Sequence, residues 1–369
     1  MTLLLMASCG CDQGRLFTDA AGQCALRPPT WTAQRLASTG IVEAKVLFVD
    51  FSDAPASATP AQVFAQLVPA GSAFFTAMSY GRLDFRLIPD LRWTRMSKPS
   101  SAYNFGTFTA HRAYLKEAIE RSGAGVDYRG MQALYVIAPA DVSALHRGPA
   151  FVGRRMLFGL INTGLTANGT TIYNGATSGG DLSQWGYKWF NHETVHTMGL
   201  PDLYAYEGDT HRFVGPYSLM GDIAGNAVEM FAYERWMLGW LDSAQIYCQP
   251  DGERMTRLSP IETIGGRKAV LVPTGRNTAL LVESRRALGY DAGLLREGVL
   301  VYSINTTIAG GRGPIQVIGM PGNTGAAATL AKGQSLTVGT VTVSVVDASA
   351  GGDTVNITVK RKSAAESWW

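Results

Sequence analysis

The hydrophobic positions in the first half of the chain switch between strand spacing and helix spacing. The stretch V-E-A-K-V-L-F-V-D-F, which begins at Val42, alternates at first and then becomes fully apolar, as a strand buried in a sheet does. Thr59 and Pro60 indicate the start of a helix, because threonine caps a helix well and proline fits the first turn. A second, apolar helix is predicted from about Ala70 to Met78.

The same switching continues to about residue 139. L-D-F-R-L-I-P, from Leu83, is an alternating strand, His111 to Arg121 has helical spacing, and Met131 to Pro139 is a third strand. This order of elements fits helices packed on a twisted mixed sheet. The later stretch G-T-T-I-Y-N-G, from Gly169, is expected to form a hairpin or an edge strand.

Beyond Cys248 the pattern changes to short apolar strands separated by Gly, Asn and Asp turns. They are A-V-L-V-P-T, A-L-L-V-E-S-R, G-V-L-V-Y-S-I-N, S-L-T-V-G-T-V-T-V-S-V-V and D-T-V-N-I-T-V-K. We therefore predict an α+β chain in four parts. These are a lead-in at residues 1–40, a domain of helices on a sheet at 41–247, a β-sandwich-like unit at 248–362 and a tail at 363–369.

Composition and charge add little to this picture. The 369 residues are 46% hydrophobic and 17% charged with a net charge of +3, which is typical of a globular protein and indicates neither a nucleic-acid nor an anionic membrane partner. No run approaches the roughly 18 apolar residues that span a bilayer. We expect a monomer without a membrane span.

The N-terminus and the cysteines suggest export. M-T-L-L-L-M-A-S-C resembles the end of a secretory signal, although it lacks a basic region and its apolar core is short; a plain N-terminal strand is the alternative. Cys9 follows a loosely lipobox-like run, so a lipid anchor is a further reading. Cys9 or Cys11 pairing with Cys24, or Cys24 pairing with Cys248, is expected, and a disulfide would indicate an oxidising compartment.

The chemistry is concentrated in N-H-E-T-V-H-T-M-G-L-P-D-L-Y, which begins at Asn191. On a helix from Trp189 to Met198, His192 and His196 lie one turn apart on the same face and can bind one zinc ion. Glu193 is then placed to take a proton from a metal-activated water. The alternative is a helix whose histidines bond to backbone groups or carboxylates.

The residues after the second histidine favour the metal site. Gly199 can adopt the left-handed conformation that ends a helix, and Pro201 prevents the helix from resuming. A chain that turns there can bring Asp202 back to the same metal. Two histidines and one carboxylate leave a fourth position open, which is the composition of a catalytic zinc site.

At this point the sequence resembles a known family. H-E-T-V-H-T-M-G-L-P-D-L-Y looks like the signature of the immune inhibitor A family of secreted bacterial zinc metallopeptidases, in the metzincin clan. P-Y-S-L-M-G, from Pro216, resembles the Met-turn of that clan, and F-A-Y-E-R-W-M-L-G-W-L, from Phe231, resembles the helix and Leu-Gly-Trp motif that follow. The resemblance covers about residues 40 to 245 and is specific at these three motifs.

The resemblance implies a metzincin-like catalytic domain and proteolysis of protein or peptide substrates. It implies His192, His196 and Asp202 as ligands of one zinc ion and Glu193 as the general base, with Met220 beneath the metal. A thioether is a poor zinc ligand, so Met220 is expected to pack rather than bind. The helix after Phe231 is expected to be core, with Glu229 and Glu234 solvated or paired.

One departure leaves the oxyanion-stabilising residue open. Some metzincins carry a tyrosine two residues after the Met-turn methionine, and Asp222 stands there in this chain. Tyr204, Tyr217 and His211 are near in sequence and could donate a hydrogen bond to an oxyanion. The two histidines earlier in the chain, His111 and His146, are expected to be structural.

We therefore interpret the sequence as that of a secreted zinc-dependent endopeptidase. One alternative is a zinc-stabilised adhesion or glycan-binding protein with a vestigial site. Another is a metallohydrolase of non-peptide amides, because the same site could support their hydrolysis. Calcium stays undecided, because the Asn- and Gly-rich acidic loops could hold it but no EF-hand or repeat pattern is present.

Overall fold

The computed structural model describes residues 35–142, 144–155, 162–322 and 325–360. The N-terminal segment that resembles an export signal, the tail at 363–369 and three of the cysteines lie outside these residues. Cys248 is disulfide-bonded. In the described residues no helix is long and apolar enough to cross a bilayer.

The described residues form six α-helices and sixteen strands, numbered in chain order. The helices are α1 (Pro60–Phe64), α2 (Ala70–Met78), α3 (Phe108–Ser122), α4 (Asp181–Trp185), α5 (Tyr187–Met198) and α6 (Ala232–Met237). The strands are β1 (Gly40–Asp50), β2 (Leu83–Arg95), β3 (Ala133–Ile137), β4 (Ala150–Val152), β5 (Leu165–Ala167), β6 (Thr170–Ile172), β7 (Asn174–Thr177), β8 (Ile246–Cys248), β9 (Gly252–Leu258), β10 (Ala269–Pro273), β11 (Thr278–Arg285), β12 (Gly298–Asn305), β13 (Ile315–Val317), β14 (Ser335–Val338), β15 (Val341–Ser349) and β16 (Gly352–Val359).

The first unit is a five-stranded mixed sheet with helices on both faces. Its strand order is β2-β1-β3-β7-β4, and only β4 runs antiparallel to its neighbour. Alternate residues of β1 face opposite sides: Val46 and Phe48 pack in one core cluster with α2 and α5, and Leu47 and Val49 pack in a second with α3. Burial on both faces explains why β1 reads as a continuous apolar run.

Most predicted elements of this unit are confirmed. The capping box formed by Thr59 and Gln62 starts α1 at Pro60, and α2 has the predicted bounds. The strand expected to end at Pro89 continues to Arg95, because β2 lies at the edge of the sheet, where proline is tolerated. In the stretch after Gly169, β6 forms the expected hairpin with β5, whereas β7 lies inside the sheet.

The second unit consists of two further sheets, with strand orders β13-β12-β11-β10-β8 and β14-β15-β16-β9. The five predicted apolar stretches form β10, β11, β12, β14 with β15, and β16. Valines and other aliphatic residues from both sheets meet in a separate core cluster between them. The broad α+β prediction is therefore confirmed.

The sheet containing β10, β11 and β12 is buried on both faces. Val282 and Val301 point into the cluster between the two sheets of the second unit, whereas Leu281, Leu300 and Tyr302 belong to the large core of the first unit. The described end of the lead-in joins that core through Leu36. The predicted boundary between residues 247 and 248 falls inside β8, and the core is continuous across it.

Buried charges tie α6 and the segment before it to the second unit. Glu229 pairs with Arg235 in the core, so the solvated alternative for Glu229 is wrong. Arg285, on β11, pairs with Glu283 and Asp291 and donates to the carbonyl of Glu229. Glu234 is also buried, and it accepts hydrogen bonds rather than facing solvent. As expected, α6 is part of the core.

Candidate metal centre

Helix α5 places the two predicted histidine ligands side by side. Its inner face packs on the sheet, where Thr194 contacts the Tyr135 hydroxyl at 2.6 Å, while Asn191 donates to the carbonyl of Gly71. His192 and His196 lie one turn apart on another face, with ring centroids 4.7 Å apart.

The helix ends as its sequence predicts. Gly199 has φ 108° and ψ 11°, in the left-handed region where glycine is favoured. The Gly199 N–H donates to His196 and the Leu200 N–H donates to Val195, which is the bond pair of a Schellman motif. This tight turn reverses the chain and returns Asp202 to the histidines.

Three side-chain atoms converge after this turn. Asp202 Oδ1 lies 3.2 Å from His192 Nε2 and 3.1 Å from His196 Nε2, and the two Nε2 atoms are 3.1 Å apart. All three side chains are largely buried, with exposures of 8% to 19%. The structure thus brings together the three residues that the sequence proposed as ligands.

The other nitrogen of each imidazole fixes its orientation. His192 Nδ1 contacts the carbonyl of Leu219 at 3.1 Å, and His196 Nδ1 contacts the carbonyl of Leu200 at 2.8 Å. A carbonyl only accepts, so each Nδ1 donates its proton there and each Nε2 faces the other two converging atoms. Such backbone support is usual for metal-binding histidines.

This donor set fits a zinc ion. Ligand atoms about 2.0–2.2 Å from a tetrahedral zinc lie roughly 3.4 Å from one another, close to the separations seen here. Three converging electron-rich atoms repel one another unless a cation lies between them. The residues present are therefore suited to zinc by atom type, spacing and orientation.

The same crowding changes proton affinities. Burial acts to lower the pKa of His196, but the Asp202 hydrogen bond and the Glu193 charge raise it to about 9. Burial acts to raise the pKa of Asp202, yet the hydrogen bonds from the two imidazoles hold it well below its usual range. The cluster consequently favours an ionised carboxylate beside a positive charge.

Glu193 lies beside the three converging atoms. Ligand atoms of His192, Glu193 and His196 fall within 4.8 Å of one another, a looser arrangement than the triangle completed by Asp202. Burial raises the pKa of Glu193, while the imidazoles and a hydrogen bond from the backbone of Ala150 act in the opposite direction. The geometry suits a proton acceptor next to a metal better than a fourth ligand.

The P-Y-S-L-M-G turn supports the site from below. The Leu219 carbonyl contacts His192 Nδ1. The Met220 carbonyl accepts hydrogen bonds from the backbone N–H groups of Leu203 and Tyr204. Met220 itself is fully buried in the main core, which fits its expected packing role. The Ser218 hydroxyl shapes the turn by accepting from the Met220 N–H and donating to Glu234.

The oxyanion candidates occupy different places. Tyr204 lines the cavity over the three converging side chains and stacks near the His192 ring, with centroids 6.3 Å apart. His211 also lines the cavity, and its Nδ1 contacts the carbonyl of Gly221 at 3.1 Å. Tyr217 points elsewhere, because its buried hydroxyl donates to the carbonyl of Ala326. Tyr204 and His211 therefore remain candidates and Tyr217 does not.

The cluster lies in an open cavity of about 1400 Å³. Its walls include the loop that leads into β4, with His146 and Arg147, and the segment after α5, with Tyr206. His146 was expected to be structural but is exposed in this wall. His111 is buried and contacts the Thr177 hydroxyl at 2.8 Å, in keeping with a structural role.

Sequence reasoning missed two residues that shape this cavity. The Tyr206 hydroxyl donates to Asp202 Oδ2 at 2.7 Å. Asp181, at the start of α4, accepts the N–H groups of Gly148 and Gly179 and so fixes the loop before β4. The tyrosine could have been noticed, since it stands four residues after Asp202, the third candidate ligand. The role of Asp181 could not be predicted from its neighbours in sequence, because its two hydrogen bonds form only in the folded loop.

No protein-family model matches the chain, and no curated protein sequence matches it.

Proposed function

We propose that this protein is a zinc-dependent endopeptidase with a metzincin-like catalytic domain. The observation that carries the proposal is the convergence of His192 Nε2, His196 Nε2 and Asp202 Oδ1, with Glu193 alongside, in an open cavity. Two nitrogens, one oxygen and a nearby carboxylate match a catalytic zinc site in composition. The turn containing Met220 supports the fold assignment by holding the His192 side chain from below.

The roles of the residues follow from their positions. A zinc ion at this site supplies Lewis acidity, which polarises a carbonyl and lowers the pKa of water. Glu193 accepts the proton of the attacking water and then returns it to the nitrogen of the leaving amine as the C–N bond breaks. Its raised pKa suits this exchange, since a carboxylate of ordinary pKa would hold the proton too weakly to deliver it.

Strand β4 supports a peptide rather than a small amide as substrate. It is the edge of its sheet in the described part of the chain, and it lines the same cavity. The carbonyl of Pro149 and the N–H of Gly153 bond to the β7 side, so the alternation of an antiparallel pair turns the backbone of Ala150 and Val152 to the other side, where the Ala150 N–H donates to Glu193. An extended peptide can add to this edge beside Glu193.

The proposed site of action is outside the cytosol. Cys248 is disulfide-bonded, and disulfides persist mainly in oxidising compartments. This bond agrees with the export-like N-terminus of the sequence.

Glu193→Gln is the direct test. The variant should bind one zinc ion per chain as the wild type does, but lose at least about a hundredfold in casein cleavage, because the amide cannot take the proton. Glu120→Gln, an exposed position on α3, is the matched control and should keep full activity. Undiminished cleavage by Glu193→Gln, or chelator-insensitive cleavage by the wild type, would contradict the proposal.

A further inference from the structure

The loop between β12 and β13 reaches out of the second unit and pairs with the segment that carries the third metal ligand. The Gly311 N–H donates to the carbonyl of Asp202 at 2.9 Å, and the Tyr206 N–H donates to the carbonyl of Gly311 at 3.1 Å. These two bonds bracket the five residues from Asp202 to Tyr206. One glycine more than a hundred residues away thus holds the backbone on both sides of the turn after the ligand.

The loop approaches too closely to carry side chains. A Cβ on Gly310 would lie 2.9 Å from Pro201 Cβ and 3.3 Å from the Asp202 nitrogen. Gly311 has φ 70°, and a Cβ there would lie 2.4 Å from the ring of Tyr206. Contacts this short force a neighbour to move, so the pair of glycines permits the approach.

Tyr206 extends this contact to the Asp202 side chain. Its hydroxyl donates to Asp202 Oδ2, while Asp202 Oδ1 faces the two imidazoles. One carboxylate oxygen is thereby occupied by the tyrosine and the other is presented to the metal position. The tyrosine ring lies against Gly311, so the loop sets the direction from which the hydroxyl reaches Asp202.

The loop is itself fixed within the second unit. The Asn305 N–H donates to the carbonyl of Pro314 across its base, and the Thr306 N–H donates to Asn277 in the turn between β10 and β11. An ion pair between Arg312 and Glu207 adds a further link, but both side chains are more than half exposed and contribute little. The rigid part of the support is the backbone.

We propose that the second unit is part of the metal centre: its Gly310–Gly311 loop positions Asp202, and Tyr206 is the positioning residue that restricts Asp202 to one metal-binding oxygen. This inference rests on the proposed zinc site. It assigns to the β-rich unit a role in metal affinity, carried by contacts that a catalytic domain ending near residue 247 would lack.

The test measures metal binding in metal-free protein rather than activity. Zinc affinity is determined by chelator competition for the wild type, Gly311→Ala and Tyr206→Phe. Both variants should lose about 10- to 100-fold in zinc affinity, as supporting residues of metal ligands typically do. In Tyr206→Phe the released Asp202 oxygen can also approach the metal, so the visible absorption of the Co²⁺-loaded protein should weaken as coordination number rises.

Matched controls separate positioning from general strain. Gly339→Ala alters another glycine with positive φ, at a turn where a Cβ meets nothing within 4 Å, and Tyr247→Phe removes a hydroxyl bonded to Arg254. Both should bind zinc like the wild type. Wild-type affinity and an unchanged Co²⁺ spectrum in Tyr206→Phe would overturn this inference alone. A wild type that binds no zinc would overturn the proposed function together with it.

Discussion

At the scale of single residues, hydrogen-bond partners and burial determine what a side chain can do, more than its residue type alone. His192 and His196 become candidate ligands because the carbonyls of Leu219 and Leu200 occupy their Nδ1 atoms. His111 is in the opposite situation: it is buried against Thr177, away from the cavity, and burial lowers its pKa by disfavouring the charged form. Their surroundings therefore distinguish the two kinds of histidine.

His111 should make the protein acid-sensitive. Burial lowers its pKa from 6.5 to about 4, so below pH 6.5 the unfolded chain binds a proton that the folded chain does not. Stability is then fully present above pH 6.5 and is lost as the pH falls toward 4. Relative to His111→Gln, the metal-free wild type should lose about 2 kcal/mol of unfolding free energy between pH 7 and pH 4.5.

Urea unfolding of both metal-free proteins at the two pH values measures this difference directly. Because the rest of the chain is identical, other titrating groups cancel in the comparison. Equal losses in the wild type and the variant would show that His111 stays solvated enough to ionise in the folded state.

At the scale of elements, the sequence predicts a helix boundary where the residues at that boundary determine it. Gly199 and Pro201 predicted the end of α5, and Thr59 with Pro60 predicted the start of α1. Strand β9 could not be predicted, since it is a mostly exposed, polar strand that is defined by pairing with β16. The positions of the Leu219 carbonyl and the Gly311 loop at the site could not be predicted either, because long-range contacts bring them there.

The turn beneath the candidate metal site and helix α6 share one carboxyl group. Glu234 Oε2 accepts the Ser218 hydroxyl and the Phe231 N–H, and so joins the turn to the first turn of the helix. Burial raises its pKa from 4.5 to about 7, against the lowering effect of those two hydrogen bonds. The folded state therefore holds a proton that the unfolded chain releases between these pH values.

Glu234→Gln should remove the part of the pH dependence of stability that Glu234 causes. In the wild type the contribution is complete below pH 4.5 and disappears as the pH rises through 7, whereas the amide does not titrate. Between pH 4.5 and pH 8 the wild type should therefore lose about 2–3 kcal/mol more unfolding free energy than the variant does. Denaturant unfolding of the two metal-free proteins measures this difference. A pH-independent difference between the two proteins would mean that Glu234 is ionised in the folded state throughout.

At the scale of the whole molecule, the two units share one core. The sheet of β10, β11 and β12 gives one face to each unit, and Arg285 on β11 donates to the backbone of Tyr217 and Glu229. The sequence pattern located the change from helices on a sheet to short strands. It could not show that the middle sheet is covered on both sides, because periodicity does not identify what lies against each face.

A chain ending at residue 247 should consequently fail to fold on its own. It would expose the apolar side of α6 and leave the buried Arg235–Glu229 pair without its cover. We expect loss of cooperative thermal unfolding and rapid digestion by trypsin, measured against the chain with both units. A soluble fragment with a sharp unfolding transition would contradict the shared core.

Under the proposed function, the covered middle sheet also protects each copy of the protein from cleavage by the others. Proteolysis needs a segment that can leave the structure and extend, and exposed linkers between domains are its usual targets. Here only Asp242 and the 3₁₀ turn Ser243–Gln245 separate Leu241, which is in the core, from β8, and Asp242 forms an ion pair with Arg82. The connection between the two units is short and held at both ends, so under the proposed function it should resist self-cleavage.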